Sequence, residues 1–184
     1  MNVDTLLANP SIHASGLYNL DEGDYAQTLA TLAEWGDAKA QHNLAAMYLE
    51  GIDVPLDYAQ AEHWHRLSAE QGYAPAQYDL GTLYLEGLGV EPDPAQAAAW
   101  FLLAARQGDL KACNNLGILH ATGEGVEREM VQARAWFLLA ARGGLIDALE
   151  NLELSAEEMS PEELASAEAL VARWEKGEGE KGEA

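Results

Sequence analysis

Apolar residues recur at helical spacing through the middle of the chain. From residue 76 they occupy positions i, i+4, i+7 and i+8, which share one face of an α-helix. These residues are Ala76, Leu80, Leu83 and Tyr84. Gly87 then supplies a left-handed stop, and Asp93 before a proline is typical of the start of a second helix. The pattern therefore predicts a helix–loop–helix unit.

The same unit recurs every 36 residues. Tryptophan, glycine, leucine and alanine all repeat at this interval and in phase, and Trp64, Trp100 and Trp136 mark the second helices of three units. A single helix pair cannot bury its own apolar face, so the units must stack. We therefore expect an all-α fold in which Leu80 is buried between units and the three tryptophans have equivalent environments.

The motif of the middle unit resembles the Sel-1-like repeat, a relative of the tetratricopeptide repeat with a longer loop between its helices. Three units of the chain carry the motif, at 38–73, 74–109 and 110–145. The resemblance implies a right-handed α/α superhelical solenoid. The residues of the middle unit that carry the likeness are Ala74, Ala76, Leu80, Gly81, Tyr84, Gly87, Gly89, Val90, Asp93, Ala97, Trp100, Ala104, Ala105 and Gly108.

The segments on either side of the three units are typical of end caps. Residues 11–37 match a shortened helix pair, and residues 146–174 match a C-terminal cap whose last helix starts at Ser160 with a capping-box pattern. We therefore expect one solenoid domain over residues 1–174. The charged, glycine-rich end of the chain predicts a disordered acidic tail at 175–184.

Two departures from the repeat pattern carry structural expectations. Asp53 stands where the middle unit has Gly89, and aspartate is among the few residues that tolerate a left-handed turn. Glu129 stands where the middle unit has Asp93. Because glutamate is a poorer N-cap than aspartate, we expect the helix that follows Glu129 to fray more at its start.

The charge balance narrows the choice of partners. The chain carries 31 acidic and 10 basic residues, for a net charge of −21. Such a chain repels nucleic-acid phosphates and anionic lipid headgroups, and it has no apolar run long enough for membrane insertion. We therefore expect neither nucleic acid nor a membrane as partner. No signal peptide is recognisable, which favours a cytoplasmic, bacterial protein.

Residue types that carry catalysis or bind metals are few and scattered. His63 and His65 lie two positions apart on one helix, about 200° around its axis, so they cannot bind one metal together. His120 occupies a core tyrosine position, and Cys113 has no activating base nearby in the sequence. We therefore predict no enzyme activity, no catalytic, cofactor or metal site, and histidines at the surface or at the edge of the core.

A binding surface is predicted where the units differ from one another. Residues shared by all units serve stacking, whereas residues that vary are free to serve binding. In tetratricopeptide-like solenoids, the face of the first helix that lies opposite its core residues lines a concave groove. The resemblance implies the same here. The predicted partner-binding residues are His42, Tyr78 and Asn114 in one row, Ala46, Thr82 and Ile118 in the next, and Leu49, Leu85, Glu50 and Glu86 beside them.

The mixed chemistry of this face indicates a role in binding. An aromatic ring, hydrogen-bonding groups and small apolar patches suit a peptide or a partner helix. We therefore interpret the chain as a non-catalytic adaptor for a peptide or protein, with Tyr78 as the anchor. An alternative is a dedicated inhibitor, immunity or chaperone partner of a basic secreted effector, since an acidic body complements a basic one. A hydrolase is a third alternative, supported only by the residue types present.

Overall fold

The computed structural model describes residues 22–178, which form nine α-helices and no strand within that range, as the all-α prediction requires. None of these helices combines the length and the apolar content needed to cross a membrane. Residues 11–21 of the predicted N-terminal cap and residues 179–184 of the predicted tail lie outside the described residues, whereas the predicted C-terminal cap at 146–174 lies within them. The helices are α1 (Glu22–Glu34), α2 (Ala38–Glu50), α3 (Tyr58–Glu70), α4 (Ala74–Glu86), α5 (Pro94–Arg106), α6 (Leu110–Thr122), α7 (Met130–Arg142), α8 (Asp147–Glu157) and α9 (Pro161–Lys176).

Aspartate side chains start most of the helices in the repeats. Asp57 accepts hydrogen bonds from two backbone N–H groups of α3, both at 3.0 Å. Asp93 does the same for α5, at 3.1 Å. Each bond satisfies a donor that the first turn of a helix leaves free. Glu129 makes no such bond at the start of α7, as expected of the poorer cap, and the greater fraying of this helix start stays a prediction.

Left-handed residues end the first helix of each repeat and turn the chain towards the second. Gly51, Gly87 and Gly123 have φ angles of 65°, 71° and 76°. Asp53, two residues after Gly51, has a φ of 60° and is the one non-glycine residue with positive φ between residues 22 and 178. The predicted left-handed turn at Asp53 is confirmed.

The helices pack as successive pairs whose interfaces repeat along the chain. Helix α2 packs on α3, α4 on α5 and α6 on α7, and each pair contacts the next. Leu44, Leu80 and Leu116 are buried at the same position of the three units. Leu80 clusters with Ala69 of the preceding unit, so its predicted burial between units is confirmed. Side-chain amides also join the units, since Gln77 donates a hydrogen bond to the carbonyl of Ala69 at 3.1 Å.

The three repeated tryptophans differ in burial because an end cap covers only the last of them. Trp174 of α9 packs against Trp136, with 4.7 Å between the ring centroids, and Trp136 is fully buried. Trp64 and Trp100 are only half-buried. The prediction of three equivalent tryptophan environments is therefore wrong.

Helix α9 extends further than the sequence predicted. It starts with the predicted capping box, in which the side chains of Ser160 and Glu163 each accept a hydrogen bond from the other's backbone N–H. It ends at Lys176, and Glu175 pairs with Arg142 of α7 at 3.2 Å. The predicted disorder from position 175 onward is therefore wrong for the described part of that segment.

Candidate functional site

The first helices of the repeats line an open groove along one side of the solenoid. One part has a volume of about 460 Å³ and is lined by residues that include His42, Tyr78 and Lys111. An adjoining part of about 270 Å³ is lined by residues that include Tyr78, Lys111 and Asn114. Because the two parts share Tyr78 and Lys111, the structure brings the predicted row of His42, Tyr78 and Asn114 onto one continuous surface. We call this surface the groove.

Tyr78 lies at the centre of the groove with its ring held on two sides. The ring packs against that of Phe101, with 5.7 Å between centroids, and the ammonium group of Lys111 lies 5.9 Å from the Tyr78 ring centroid. At one end of the groove, Asn114 accepts a hydrogen bond from the side-chain amide of Asn151 at 2.9 Å. The side chains of Tyr78 and Asn114 are half-buried and are held in position by these neighbours.

The three residues of the second predicted row line neither part of the groove. Ala46 and Thr82 are half-buried on α2 and α4, and the Thr82 hydroxyl donates to the carbonyl of Tyr78 at 3.2 Å. Ile118 is 38% exposed and lines a separate pocket of about 190 Å³ formed by α6, α7 and α8. The structure therefore does not bring Ile118 into the groove.

The remaining predicted residues lie at the ends of α2 and α4. Leu49 and Leu85 are half-buried and pack partly against the core. Glu50 and Glu86 are the last residues of their helices and are exposed. Their carboxylates stay in solvent and give this rim of the solenoid a negative charge.

Two histidines and an aspartate from three successive helices meet beside the groove. The Nδ1 atom of His42 on α2 lies 3.4 Å from Oδ2 of Asp79 on α4. The Nε2 atom of His65 on α3 lies 3.9 Å from the same oxygen. His65 is fully buried, whereas the side chains of His42 and Asp79 are 19% and 33% exposed. We call these three residues the histidine cluster.

Burial sets the protonation states in the histidine cluster. It lowers the pKa of His65 to about 3, with a smaller contribution from the nearby His42, and it also lowers the pKa of His42. Burial raises the pKa of Asp79 to about 6, where Asp109 adds to the increase and Lys111 opposes it. At neutral pH both imidazoles are therefore uncharged, and each has one nitrogen lone pair available.

The buried position of His65 corrects the sequence-based expectation for the histidines. The sequence predicts surface or edge positions for the histidines, and His65 shares its helix with His63. Packing instead brings His65 next to His42, with 5.3 Å between the ring centroids. The pattern of residues on a single helix could not show this pairing, because the two histidines belong to different helices.

A comparison of equivalent positions in the three units would have identified His65 as a buried residue. The positions 36 and 72 residues later are Phe101 and Phe137, both buried. Each of these rings packs over a glycine. The contact is so close that a Cβ atom on Gly81 would lie 2.7 Å from the Phe101 ring. The first unit has Ala45 at the glycine position. The smaller imidazole of His65 thus accompanies the larger residue at position 45, so the two changes compensate in volume.

His120 and Cys113, the two other residues considered for catalysis or metal binding, lie in packing environments. His120 is half-buried, and its Nδ1 atom lies 3.3 Å from the carbonyl oxygen of Glu127, in agreement with its interpretation as a hydrogen-bonded packing residue. Cys113 is buried rather than partly covered. Neither side chain lines the groove as defined by its two pockets.

Comparison with known proteins identifies the repeat. The Sel1 repeat model matches residues 38–73, 74–109 and 110–145, whereas no curated protein matches the sequence. A Sel1 repeat protein from Oxalobacter formigenes has a similar structure, with 34% sequence identity and a TM-score of 0.64 over 69% of this chain and 96% of that one. The c5321 protein, a protective antigen present in uropathogenic Escherichia coli strains that displays an SLR fold, is 32% identical with a TM-score of 0.64. That match covers 89% of this chain, which spans 38% of the length of c5321.

Proposed function

Because this chain belongs to the Sel1 repeat family, whose members generally mediate protein–protein interactions, we propose that it binds a peptide or a partner protein in the groove. Members of the family are typically scaffolds without catalysis. The proposed adaptor holds its partner by contact and needs no reacting group. The assignment of the partner to the groove is the part of this proposal that goes beyond the family.

The placement of Tyr78 carries the proposal. Its ring faces both parts of the groove and is already held by Phe101 and Lys111. A tyrosine offers a large rigid surface and one hydroxyl group, which is why this residue type recurs at interface hot spots. Since the ring is positioned before the partner arrives, little conformational entropy is lost when it is covered.

The charge of the chain favours a basic partner. The net charge is −21, and Glu50 and Glu86 add exposed carboxylates at the rim. Opposite charges on two proteins speed their encounter and disfavour wrong partners more than they add to affinity. Lys111 is a positive group inside the groove, so it would face a carboxylate of the bound segment.

The same charge supports a second candidate function, a dedicated inhibitor, immunity or chaperone partner of a basic secreted effector. Such a protein forms one tight stoichiometric complex, whereas an adaptor binds several clients more weakly. Loss of the partner's activity in the complex would select the second function. The cytoplasmic location inferred from the sequence is compatible with both functions and stays a prediction.

Replacement of Tyr78 by alanine tests the proposed function. The parent chain is used to capture partners from a lysate of the source organism, and the affinity of the captured protein is measured by calorimetric titration. We expect Tyr78→Ala to weaken binding by about 2 kcal/mol, or roughly thirtyfold, as for a buried aromatic anchor.

The matched control is Leu103→Ala on α5. Leu103 is 41% exposed and does not line the groove, so this variant also loses an exposed apolar side chain but should bind like the parent. Equal affinities of the parent and Tyr78→Ala would remove the groove from the proposal. A loss confined to Leu103→Ala would place the interface on the second helices instead.

A further inference from the structure

The histidine cluster contains the types of atoms that bind metal ions. Within residues 22–178, it is the one group of three histidine, cysteine or acidic side chains whose ligand atoms all lie within 4.8 Å of one another. Its members are His42, His65 and Asp79, and each comes from a different helix. The three helices are packed side by side, so the backbone holds the ligand atoms together.

Three of the four imidazole nitrogens of the cluster are buried without a hydrogen-bond partner in the protein. This holds for Nδ1 of His42 and for both ring nitrogens of His65, all of which are buried. A buried polar atom without a partner destabilises the folded state. Because His65 is fully buried and faces the carboxylate of Asp79 at 3.9 Å, beyond hydrogen-bond distance, the protein chain alone leaves this group unsatisfied.

All three members of the cluster depart from the residues found at the same positions of the other units. His65 replaces the phenylalanines Phe101 and Phe137. Asp79 has asparagines, Asn43 and Asn115, as its equivalents. His42 corresponds to a tyrosine and an asparagine in the following units. Stacking therefore does not require any of the three, yet their side chains meet at one point.

We propose that His42, His65 and Asp79 bind one divalent first-row transition metal ion, with Zn²⁺ as the best match. Two neutral imidazoles and one carboxylate form a typical ligand set for such an ion, and three protein ligands leave a fourth position open. Tetrahedral zinc with bonds of about 2.0–2.1 Å places its ligand atoms about 3.3–3.4 Å apart. The His42–Asp79 separation is 3.4 Å, the His65–Asp79 separation is 3.9 Å, and all three ligand atoms lie within 4.8 Å of one another, so the side chains must move closer together to bind one ion.

The open position of the metal faces the groove. His42 and Asp79 line the part of about 460 Å³, whereas His65 is fully buried behind them in the cluster. The ion would change the charge of the cluster from −1 to +1 next to Lys111 and Tyr78. Water, or a carboxylate or imidazole group from a bound molecule, would complete the coordination. The metal site does not depend on the proposed protein partner and stands if that partner binds elsewhere.

Two variants remove ligands while they restore residues that the other units already contain. Asp79→Asn replaces a carboxylate by the amide found at the equivalent positions. The double variant Ala45→Gly/His65→Phe recreates the glycine–phenylalanine pair that packs at Gly81 and Phe101. The control is His63→Ala, which removes an exposed histidine outside the cluster. Circular dichroism of each variant verifies that it is folded.

The test is calorimetric titration of the full, tag-free chain with ZnCl₂ after treatment with a chelator. Excess Ca²⁺ is present to occupy exposed carboxylates, and CoCl₂ serves as a spectroscopic probe because its visible absorption reports tetrahedral nitrogen and oxygen ligands. We expect one ion per chain with micromolar or tighter affinity in the parent and in His63→Ala. Each ligand variant should lose at least about 100-fold, more than changes outside the coordination shell usually cost.

Metal binding can also be measured through the thermal stability of the protein. Zinc should raise the melting temperature of the parent but not that of Asp79→Asn or of the double variant, because only a folded chain with the intact cluster binds the ion. Absence of micromolar binding in the parent would overturn the proposal. Parent-like binding by either ligand variant would also overturn it, since the ion would then be held by other residues.

Discussion

Helices α4 and α5 approach so closely at Gly81 that one added methyl group tests how the repeats are packed. A Cβ atom on Gly81 would lie 2.7 Å from two ring carbons of Phe101 and 3.2 Å from the carbonyl oxygen of Ala97. Both distances are shorter than ordinary van der Waals contact. Because Phe101 is fully buried, its ring has no free space into which it can move. The Gly81→Ala substitution should therefore strain the interface.

Two opposing terms determine the size of the effect. Overpacking of a filled core costs about 1–3 kcal/mol, whereas alanine in place of a glycine inside a helix gains about 0.5–1 kcal/mol. We therefore expect Gly81→Ala to lower the free energy of unfolding by up to about 2.5 kcal/mol. In a Phe101→Leu background the ring is absent, and the same substitution should instead raise the free energy of unfolding by about 0.5–1 kcal/mol.

The energetic coupling between positions 81 and 101 is measured by urea unfolding of four proteins, with circular dichroism as the signal. The parent, the two single variants and the double variant form a cycle, and the expected coupling free energy is about 1–3 kcal/mol. The comparison requires equal urea dependence for all four, since repeat proteins can lose cooperativity when an interface is damaged. If Gly81→Ala changed stability equally in both backgrounds, the phenylalanine ring would not fill this space. The volume compensation between Ala45 and His65 would then lose its basis.

Two further predictions concern the scaffold. Leu80→Ala should lower the free energy of unfolding by about 2–5 kcal/mol, because Leu80 is fully buried between two units; an unchanged urea midpoint would mean that the helices close the cavity without cost. Ser160→Ala should cost about 0.5–2 kcal/mol through loss of the capping box. The backbone N–H of Ser160 and, to a smaller extent, its hydroxyl donate to Glu163 and lower the pKa of that carboxyl below its usual 4.5. The stabilisation from these two bonds is therefore present above pH 4.5 and is lost as the pH falls through the lowered value. Because Ser160→Ala keeps the backbone N–H that donates to Glu163, the carboxylate is tested with Glu163→Gln. A urea midpoint of Glu163→Gln that differs from the parent equally at pH 7 and pH 3 would contradict the role of Glu163.

The row in the groove illustrates how far a repeat pattern can predict a surface. His42, Tyr78 and Asn114 lie 36 residues apart, so they occupy the same position on three equivalent helices and share one face of the stack. Ile118 of the second row lines a different pocket, and its role in binding stays a prediction. Helix α8 packs beside α6 there and forms a separate pocket, and the periodic part of the sequence contains no information about the angle at which an end cap docks.

The end caps also explain why equal residues have unequal surroundings. Trp136 is followed by the same six residues as Trp100, since the segment from tryptophan to arginine is identical in the two units. Its complete burial comes from Trp174, which is 38 residues away in sequence and belongs to the capping helix. A repeat inside the stack is covered by another repeat, whereas the last one is covered by a different element.

The sequence by itself determined the helices and their order, because apolar spacing, aspartate caps and glycine stops act within a few residues of where they occur. Only the tertiary structure decided which side chains of different helices meet. His42, His65 and Asp79 are separated by 23 and 14 residues, and none of the three helices alone indicates the cluster. Their ligand atoms converge because helix packing brings one face of each helix to the same place, and this contact is a property of the stack and not of any local segment.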